Sequence, residues 1–289
     1  MMQELSAAEL TVWKGIITDV LREFQDICAR HQLTYYAIGG TAIGAVRHHG
    51  IIPWDDDIDV GMPRPDFERF IEICRTSDLG HYELVSNETH PDYYLPFPKF
   101  CNSNTTLVER ADIPCAIGLF IDVFPLDSTS DDPAEVEALV HRYKKLQNRY
   151  EAISSRSTFS QHLMLLTQPH EWGRFLNKTL GYFFRKPMKR YLLRKMRALC
   201  LKYPYGSTKH LINYGGAYGT RELFSSHIVE GKPINMPFDS ITIDLMPGYD
   251  DYLKGIYGNY MQMPPEEKRV AHHLKAFYNL NKRVDNPFV

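Results

Sequence analysis

Cysteine is scarce in this 289-residue sequence. The five present, Cys28, Cys74, Cys101, Cys115 and Cys200, are odd in number, scattered and without a C-x-x-C pair. That argues against a disulfide framework or a zinc site, and fits thiols kept reduced in a cytoplasm. No apolar stretch reaches the roughly 20 residues that span a bilayer. The N-terminus, M-M-Q-E-L-S-A-A-E-L, lacks the basic and apolar regions of a secretory signal. Neither sign of charge dominates: the net charge is −2, with a pI near 6.6, which argues against a general nucleic-acid binder. What remains is long enough for one elaborated domain, or a domain with an extension.

The informative stretch is Ala37 to Asp59, A-I-G-G-T-A-I-G-A-V-R-H-H-G-I-I-P-W-D-D-D-I-D. On a strand, alternate side chains share a face, so Asp57 and Asp59 point one way while Ile58 and Val60 point into the core. Two carboxylates on one face repel, and need a cation or a proton to coexist. Oxygen-only ligands suit a hard divalent ion, most often Mg²⁺, with Mn²⁺ as a substitute. Asp55 and Asp56 belong to the turn after Pro53-Trp54 and are weaker ligand candidates. A solvated acidic turn is the alternative. At the other end, Gly39-Gly40-Thr41 lies between a short apolar strand, 35–38, and a helix expected over Ala42 to His49. Glycines there allow close backbone approach, and the helix start offers N–H groups to a phosphate. Thr41 is a candidate cap or phosphate contact.

Gly-Gly-Thr followed by D-I-D-V on the next strand resembles the signature of the nucleotidyltransferase-fold superfamily. More closely, G-T-A-I-G-A-V-R-H-H-G-I-I-P-W-D-D-D-I-D-V-G-M-P-R resembles the LicD family of phosphocholine transferases, to which the fukutin-related ribitol-phosphate transferases are distantly similar. The resemblance runs from about Leu33 to His273 and is thin between Ala134 and Lys209. Near the C-terminus it returns in Y-G-N-Y-M-Q-M-P-P-E-E-K-R, residues 257–269, with Arg269 the expected substrate contact there. His272 and His273 follow that segment.

A second stretch, G-L-F-I-D-V-F-P-L-D over Gly118 to Asp127, reads as a buried strand with one acid in its middle. A lone carboxylate in apolar sequence is costly unless paired or on a metal. The resemblance implies that Asp122 is the third carboxylate beside Asp57 and Asp59. Asp127 is expected in the following loop, capping or solvated. Arg47, in the A-V-R segment, is a candidate for a two-pronged diphosphate contact, or simply complements a helix C-terminus. Lys99 is read either as a phosphate-neutralising residue or as an exposed lysine. The neighbouring histidines, His48 and His49, lack a metal-ligand spacing and are read as structural or as supporting the site from behind its contact residues.

Around these, Ser6 to Arg30 reads as an amphipathic helix with a Ser6/Glu9 capping box. Helices are expected over 65–75, 133–150 and 248–257, and strands over 82–86 and 241–245. A hairpin is expected from Leu95–Cys101 to Thr105–Arg110 across Asn102-Ser103-Asn104. Ser154 to Ser160 reads as a loop. The region 163–201 is aromatic and basic, with helices divided by Pro169 and Pro187. It is either a solvated face or a surface for anionic lipid headgroups or a lipid-linked acceptor. Tyr214 to Gly219 is a glycine-aromatic loop, a weak candidate for stacking on a base or a choline group.

The expected architecture is α/β (α+β): a nucleotidyltransferase-type mixed sheet flanked by helices, with residues 1–133 as catalytic core, 134–209 as a helical basic insertion, and 210–289 completing the catalytic part. The resemblance implies metal-dependent transfer of a phospho-substituent, phosphocholine by default, from a CDP-linked donor to a hydroxyl of a cell-surface glycan or its lipid-linked precursor, with CMP leaving. Asp57, Asp59 and Asp122 would be catalytic and hold Mg²⁺. Gly39, Gly40, Thr41, Arg47, Lys99 and Arg269 would contact substrate. The expected location is cytoplasmic, with peripheral membrane contact through 163–201 as a further option. The alternatives are a nucleotidyltransferase acting on a sugar or small molecule, and a catalytically silent nucleotide- or glycan-binding protein.

Overall fold

A computed structural model of the chain describes residues 5–113, 115–155, 172–270 and 274–288. Helix α1 (Ala7–His31) starts at the expected capping box: the Ser6 hydroxyl accepts the Glu9 N–H at 3.3 Å, and the Glu9 carboxylate accepts the Ser6 N–H at 2.9 Å. Its buried stripe, Trp13, Ile17, Val20, Leu21, Phe24 and Ile27, follows the 3.6-residue period. Phe24 meets Phe70 of α3 (Arg64–Thr76) edge-on, with ring centres 5.0 Å apart, and Phe100 of the sheet at 6.5 Å. That contact anchors two helices on one face of the sheet.

Among the described residues the main sheet has eight strands, and its central path runs β1 (Tyr36–Ala37), β2 (Asp59–Pro63), β5 (Ile117–Thr129), β4 (Lys99–Val108), β10 (Phe277–Asn279). Strand β3 (Tyr82–Val85) pairs with β4, while β6 (His210–Ile212) joins β5 to β7 (Leu223–Ser225). Strands β2 and β5 are parallel, and the other paired neighbours in this sheet are antiparallel. A parallel neighbour requires a crossover, supplied here by α3 and the β3–β4 pair. The result is the expected mixed α/β arrangement. Two-stranded β8 (Ile234–Phe238) and β9 (Ile241–Leu245) lie beside it, and α6 (Tyr249–Tyr257) follows.

The expected hairpin is replaced by the single long strand β4. The turn-forming residues act inside the sheet as a bulge, where the register moves from Asn102 opposite Leu119 to Leu107 opposite Ile117. The Asn102 side chain accepts the Asn104 N–H at 2.9 Å. The Thr105 hydroxyl donates to the Asn102 carbonyl and accepts the Leu119 N–H, both at 2.8 Å. Gly118 fits there because a Cβ would collide with the Asn102 carbonyl. A second correction concerns Asp127. It belongs to β5 and is buried, its two oxygens bonded to Arg64 Nε and Nη2 at 2.6 and 2.7 Å. The strand continues past Pro125 because β6 pairs with it there, opposite Asp127 to Thr129.

Helices α4 (Pro133–Ser154) and α5 (Trp172–Cys200) pack together around Val136, Tyr143, Tyr150, Leu192 and Met196, a smaller core that extends to Ile212 and Tyr214. α5 bends at Phe184 (φ −121°, ψ 21°), just before Pro187, whose ring and missing N–H disturb the preceding turn. Thus the division into helices expected near Pro187 is present, as a kink at Phe184. Pro169, the segments 156–160 and 163–171, and His272 and His273 lie outside the described residues. Among the described residues, no helix is long and apolar enough to cross a membrane.

Candidate active site

The sheet register places three side chains in a row. Asp59 of β2 lies opposite Asp122 of β5, and Asp122 lies opposite Lys99 of β4. Directly opposed residues share a face of the sheet, so the row is set by register. Asp57 precedes β2 as extended chain, and the burial alternates as expected: Asp56, Ile58 and Val60 are buried, Asp57 and Asp59 half-buried. The carboxylates of Asp55, Asp56 and Asp57 can each offer one oxygen within 4.8 Å of the others. Asp55, a weak candidate by sequence, therefore belongs beside Asp57.

Asp56 has another role. Its carboxylate pairs with Lys275, far along the chain, and both side chains are buried, at 3% and 5% exposure. Trp13 donates its indole N–H to the Asp56 carbonyl at 2.8 Å and lies under the Lys275 ammonium at 5.5 Å. This arrangement turns the middle acid inward and leaves its neighbours outward. Only the alternating period was visible in the sequence; the partner 219 residues away was not.

Helix α2 (Gly39–His48) begins earlier than expected and takes the glycines into its first turn. Gly39 has φ +57°, and a Cβ there would sit 3.4 Å from Asp59 Oδ2. A Cβ on Gly40 would sit 3.0 Å from Asp55 Oδ2. The glycines therefore let two carboxylates approach the helix N-terminus, whose positive end favours negative charge. Thr41 does not cap the helix, which starts before it. Its buried hydroxyl oxygen accepts the Asp59 N–H at 2.8 Å and ties β2 to α2.

Lys99 is 1% exposed, which overturns the option of an exposed lysine. Its ammonium lies 2.9 Å from Asp122 Oδ1, 3.5 Å from Glu109 Oε1 and 3.2 Å from the centre of the Phe120 ring. Burial works against its charge, but Asp122 and Glu109 raise its pKa overall. In this geometry Lys99 neutralises carboxylates, so phosphate contact is not its visible role. Arg47 donates Nη1 to the carbonyls of Tyr260 and Gln262 at 2.6 and 3.2 Å, which fastens the C-terminal segment over α2. Arg269 donates Nε to the Pro264 carbonyl at 2.9 Å and lies 5.4 Å from the Trp54 ring centre. Burial and the nearby Arg269 charge both pull the Arg47 pKa down. His48 meets Trp54 edge-on at 5.8 Å, a structural contact as expected.

Two tyrosines of α6 were missed by the sequence reading. The Tyr252 hydroxyl accepts the Gly39 N–H at 3.4 Å, and the Tyr257 hydroxyl would lie 3.5 Å from a Gly39 Cβ. Tyr218 of the glycine-aromatic loop meets Tyr257 edge-on at 5.0 Å, so that loop borders the same helix start. The Y-G-N-Y segment was the available signal, read as substrate-facing at Arg269 only.

A family model described as LicD/FKTN/FKRP, nucleotidyltransferase domain, matches residues 32–154, the span that carries Gly39, Arg47, Asp57, Asp59, Lys99 and Asp122. Over that span the chain is similar to the LicD family. Similarity extends beyond that domain. Over 273 residues, 92% of this chain and 96% of the relative, it is 27% identical to the lipopolysaccharide cholinephosphotransferase LicD of Haemophilus influenzae. A shorter match, 37% identity over 71 residues, joins 25% of the chain to 23% of an uncharacterized protein of Rickettsia typhi.

Proposed function

We propose that this LicD-like chain is a transferase that moves phosphocholine from CDP-choline to a hydroxyl of a lipopolysaccharide-type glycan and releases CMP. The support is the row Asp59–Asp122–Lys99 beside Asp57 and the α2 N-terminus, together with near full-length similarity to a lipopolysaccharide cholinephosphotransferase.

Oxygen-only donors suit a divalent cation: the carboxylates of Asp55, Asp56 and Asp57 lie within reach of one another, and those of Asp55 and Asp59 lie beside a helix start opened by two glycines. Asp57, Asp59 and Asp122 would hold Mg²⁺, with Asp55 available beside them. Bound there, the ion would supply charge neutralisation for the diphosphate.

The chemistry asked of the protein is mainly positioning and electrostatics. The acceptor oxygen forms a bond to the phosphocholine phosphorus as the bond from that phosphorus to the CMP oxygen breaks. The first turn of α2 directs its N–H groups toward the developing negative charge. A carboxylate of the group takes the acceptor hydroxyl proton. Lys99, 2.9 Å from Asp122 Oδ1, already engages that carboxylate, so Asp57 and Asp59 are better placed for that transfer.

The test is CMP release from a panel of CDP-alcohols, with Mg²⁺, with EDTA, and with Asp57→Ala protein. Metal-dependent CMP from CDP-choline, lost in the variant, supports the reading. CMP from CDP-ribitol or CDP-glycerol alone would reassign the transferred group. No CMP from any donor, with glycan acceptor present, would overturn the reaction class.

A further inference from the structure

A cavity of about 1030 Å³ lies between α3, the loop over 86–98, the end of β5 and the α4–α5 pair. Neither the α2 N-terminus nor Asp57, Asp59 or Asp122 lines it. Its carboxylates are already matched. Asp127 pairs with Arg64, Glu68 with Arg64 and Arg197, and Glu72 and Glu88 with Arg75. Once these are set aside, Lys186, Arg190 and Arg194 of α5 line the cavity with no ion pair among the described residues.

These three cations recur every four residues, which puts them on one stripe spanning about 12 Å of helix. Like charges at that spacing weaken a helix, so helix stability does not explain the stripe. Deeper in, Lys189 is 6% exposed and donates to the carbonyls of Pro91 and Tyr93 at 2.8 and 2.7 Å. An ammonium has three donors, so one remains for a ligand. Tyr143, Tyr150 and Phe97 give the cavity flat apolar walls. Cations that fix orientation beside aromatic walls are the composition of a site for a polar, ring-containing anion.

We propose that this cavity seats the acidic part of the acceptor, a saccharide bearing phosphate or carboxylate groups, with Lys186, Arg190 and Arg194 as its contacts. The proposal rests on reading the chain as a glycan-directed phosphocholine transferase. The cavity's edge adjoins the catalytic row: Pro98 lines it directly before Lys99, and Pro125 lines it on the strand that carries Asp122. From Asp122 to Asp127 on the cavity floor, β5 advances roughly 17 Å at about 3.3 Å per residue. One sugar ring cannot bridge that distance, so the acceptor is an oligosaccharide whose charged and modified units differ.

The test uses the full chain, the Arg190→Glu/Arg194→Glu variant, and Arg190→Gln/Arg194→Gln, which removes charge with good helix formers. The probes are lipid-free lipopolysaccharide core oligosaccharide and the same material after phosphatase treatment. Acceptor-independent CMP release from CDP-choline is the control for a folded catalytic site. The expected result is an acceptor KM raised about tenfold or more in both variants, and in the wild type on dephosphorylated acceptor. An unchanged KM with normal CMP release would overturn the cavity assignment and leave the reaction class standing. Absence of CMP release from the wild type would overturn the reaction class instead. Calorimetric binding of the oligosaccharide then decides the cavity: binding lost in both variants supports it, and binding retained in them, or no binding to the wild type, overturns it. Binding to phosphatidylglycerol vesicles that the variants abolish, with the oligosaccharide KM unmoved, would also overturn it, in favour of a membrane surface.

Discussion

Replacing Lys99 by methionine keeps the length of the side chain and removes its charge from between Asp122 and Glu109. The ammonium is 2.9 and 3.5 Å from the two carboxylates, and all three groups are buried. Removing one member of a buried charged set strands the others, at a cost of about 3–5 kcal/mol. Against a typical total of about 5–15 kcal/mol, that is a large fraction of the stability. Urea unfolding at pH 7.5, followed by tryptophan fluorescence, should show a lower midpoint with an unchanged slope. The sign of the pH dependence also follows. A stranded buried carboxylate favours its neutral form, so the folded variant binds more protons than its unfolded chain. Its deficit therefore shrinks as pH falls and widens as pH rises. In the wild type, the raised Lys99 pKa gives stability that is fully present below the unfolded value of 10.5 and lost as pH rises through the folded value. The double variant Lys99→Met/Glu109→Gln should recover part of the loss. A deficit below about 1 kcal/mol, or one that does not change between pH 5 and 7.5, would falsify the assignment of Lys99 as counter-ion to this pair.

Other expectations test separate parts of the structure. Arg64→Met should lower stability by about 3–5 kcal/mol, because Asp127 is left buried without its two-pronged partner; calorimetric melting checks this. Ser6→Ala should remove the α1 cap at a cost of about 1 kcal/mol, read by urea unfolding. Arg47→Ala should release the Tyr260 and Gln262 carbonyls, at about 1.5–3 kcal/mol for a charged donor, and show as faster amide exchange confined to about 260–269. Lys189 has its pKa pushed down to about 8, chiefly by burial. Between that value and the ordinary 10.5 the folded chain binds fewer protons than the unfolded one, so its contribution to stability rises with pH across that window. Lys189→Met should remove that rise, measured as urea midpoints from pH 7 to 10.

Local patterns in the sequence determine much of this protein. The 3.6-residue stripe and the Ser6/Glu9 box define α1, and the apolar run around Asp122 defines β5 as a buried strand. The alternation from Asp56 to Val60 assigns inward and outward acids, because neighbouring side chains on extended backbone must take opposite faces. Gly39-Gly40 marks the strand-to-helix start beside them. The G-G-T and D-I-D-V segments reveal the nucleotidyltransferase-type resemblance, and the whole run from Gly40 to Arg64 the closer one to LicD. Tertiary structure alone decides the partners of buried charges. Lys99 meets Asp122 and Glu109 through the register of β4 on β5, and that register depends on a bulge which the Asn102-Ser103-Asn104 run disguises as a turn. Asp127 stays in the sheet because β6 arrives to pair with that part of β5. Lys275 reaches Asp56, and Arg47 reaches the carbonyls of Tyr260 and Gln262, across more than 200 residues of sequence. A buried charge must find a counter-charge or a hydrogen-bond partner, but nothing in its own neighbourhood along the chain says which one; chain closure brings the partner there.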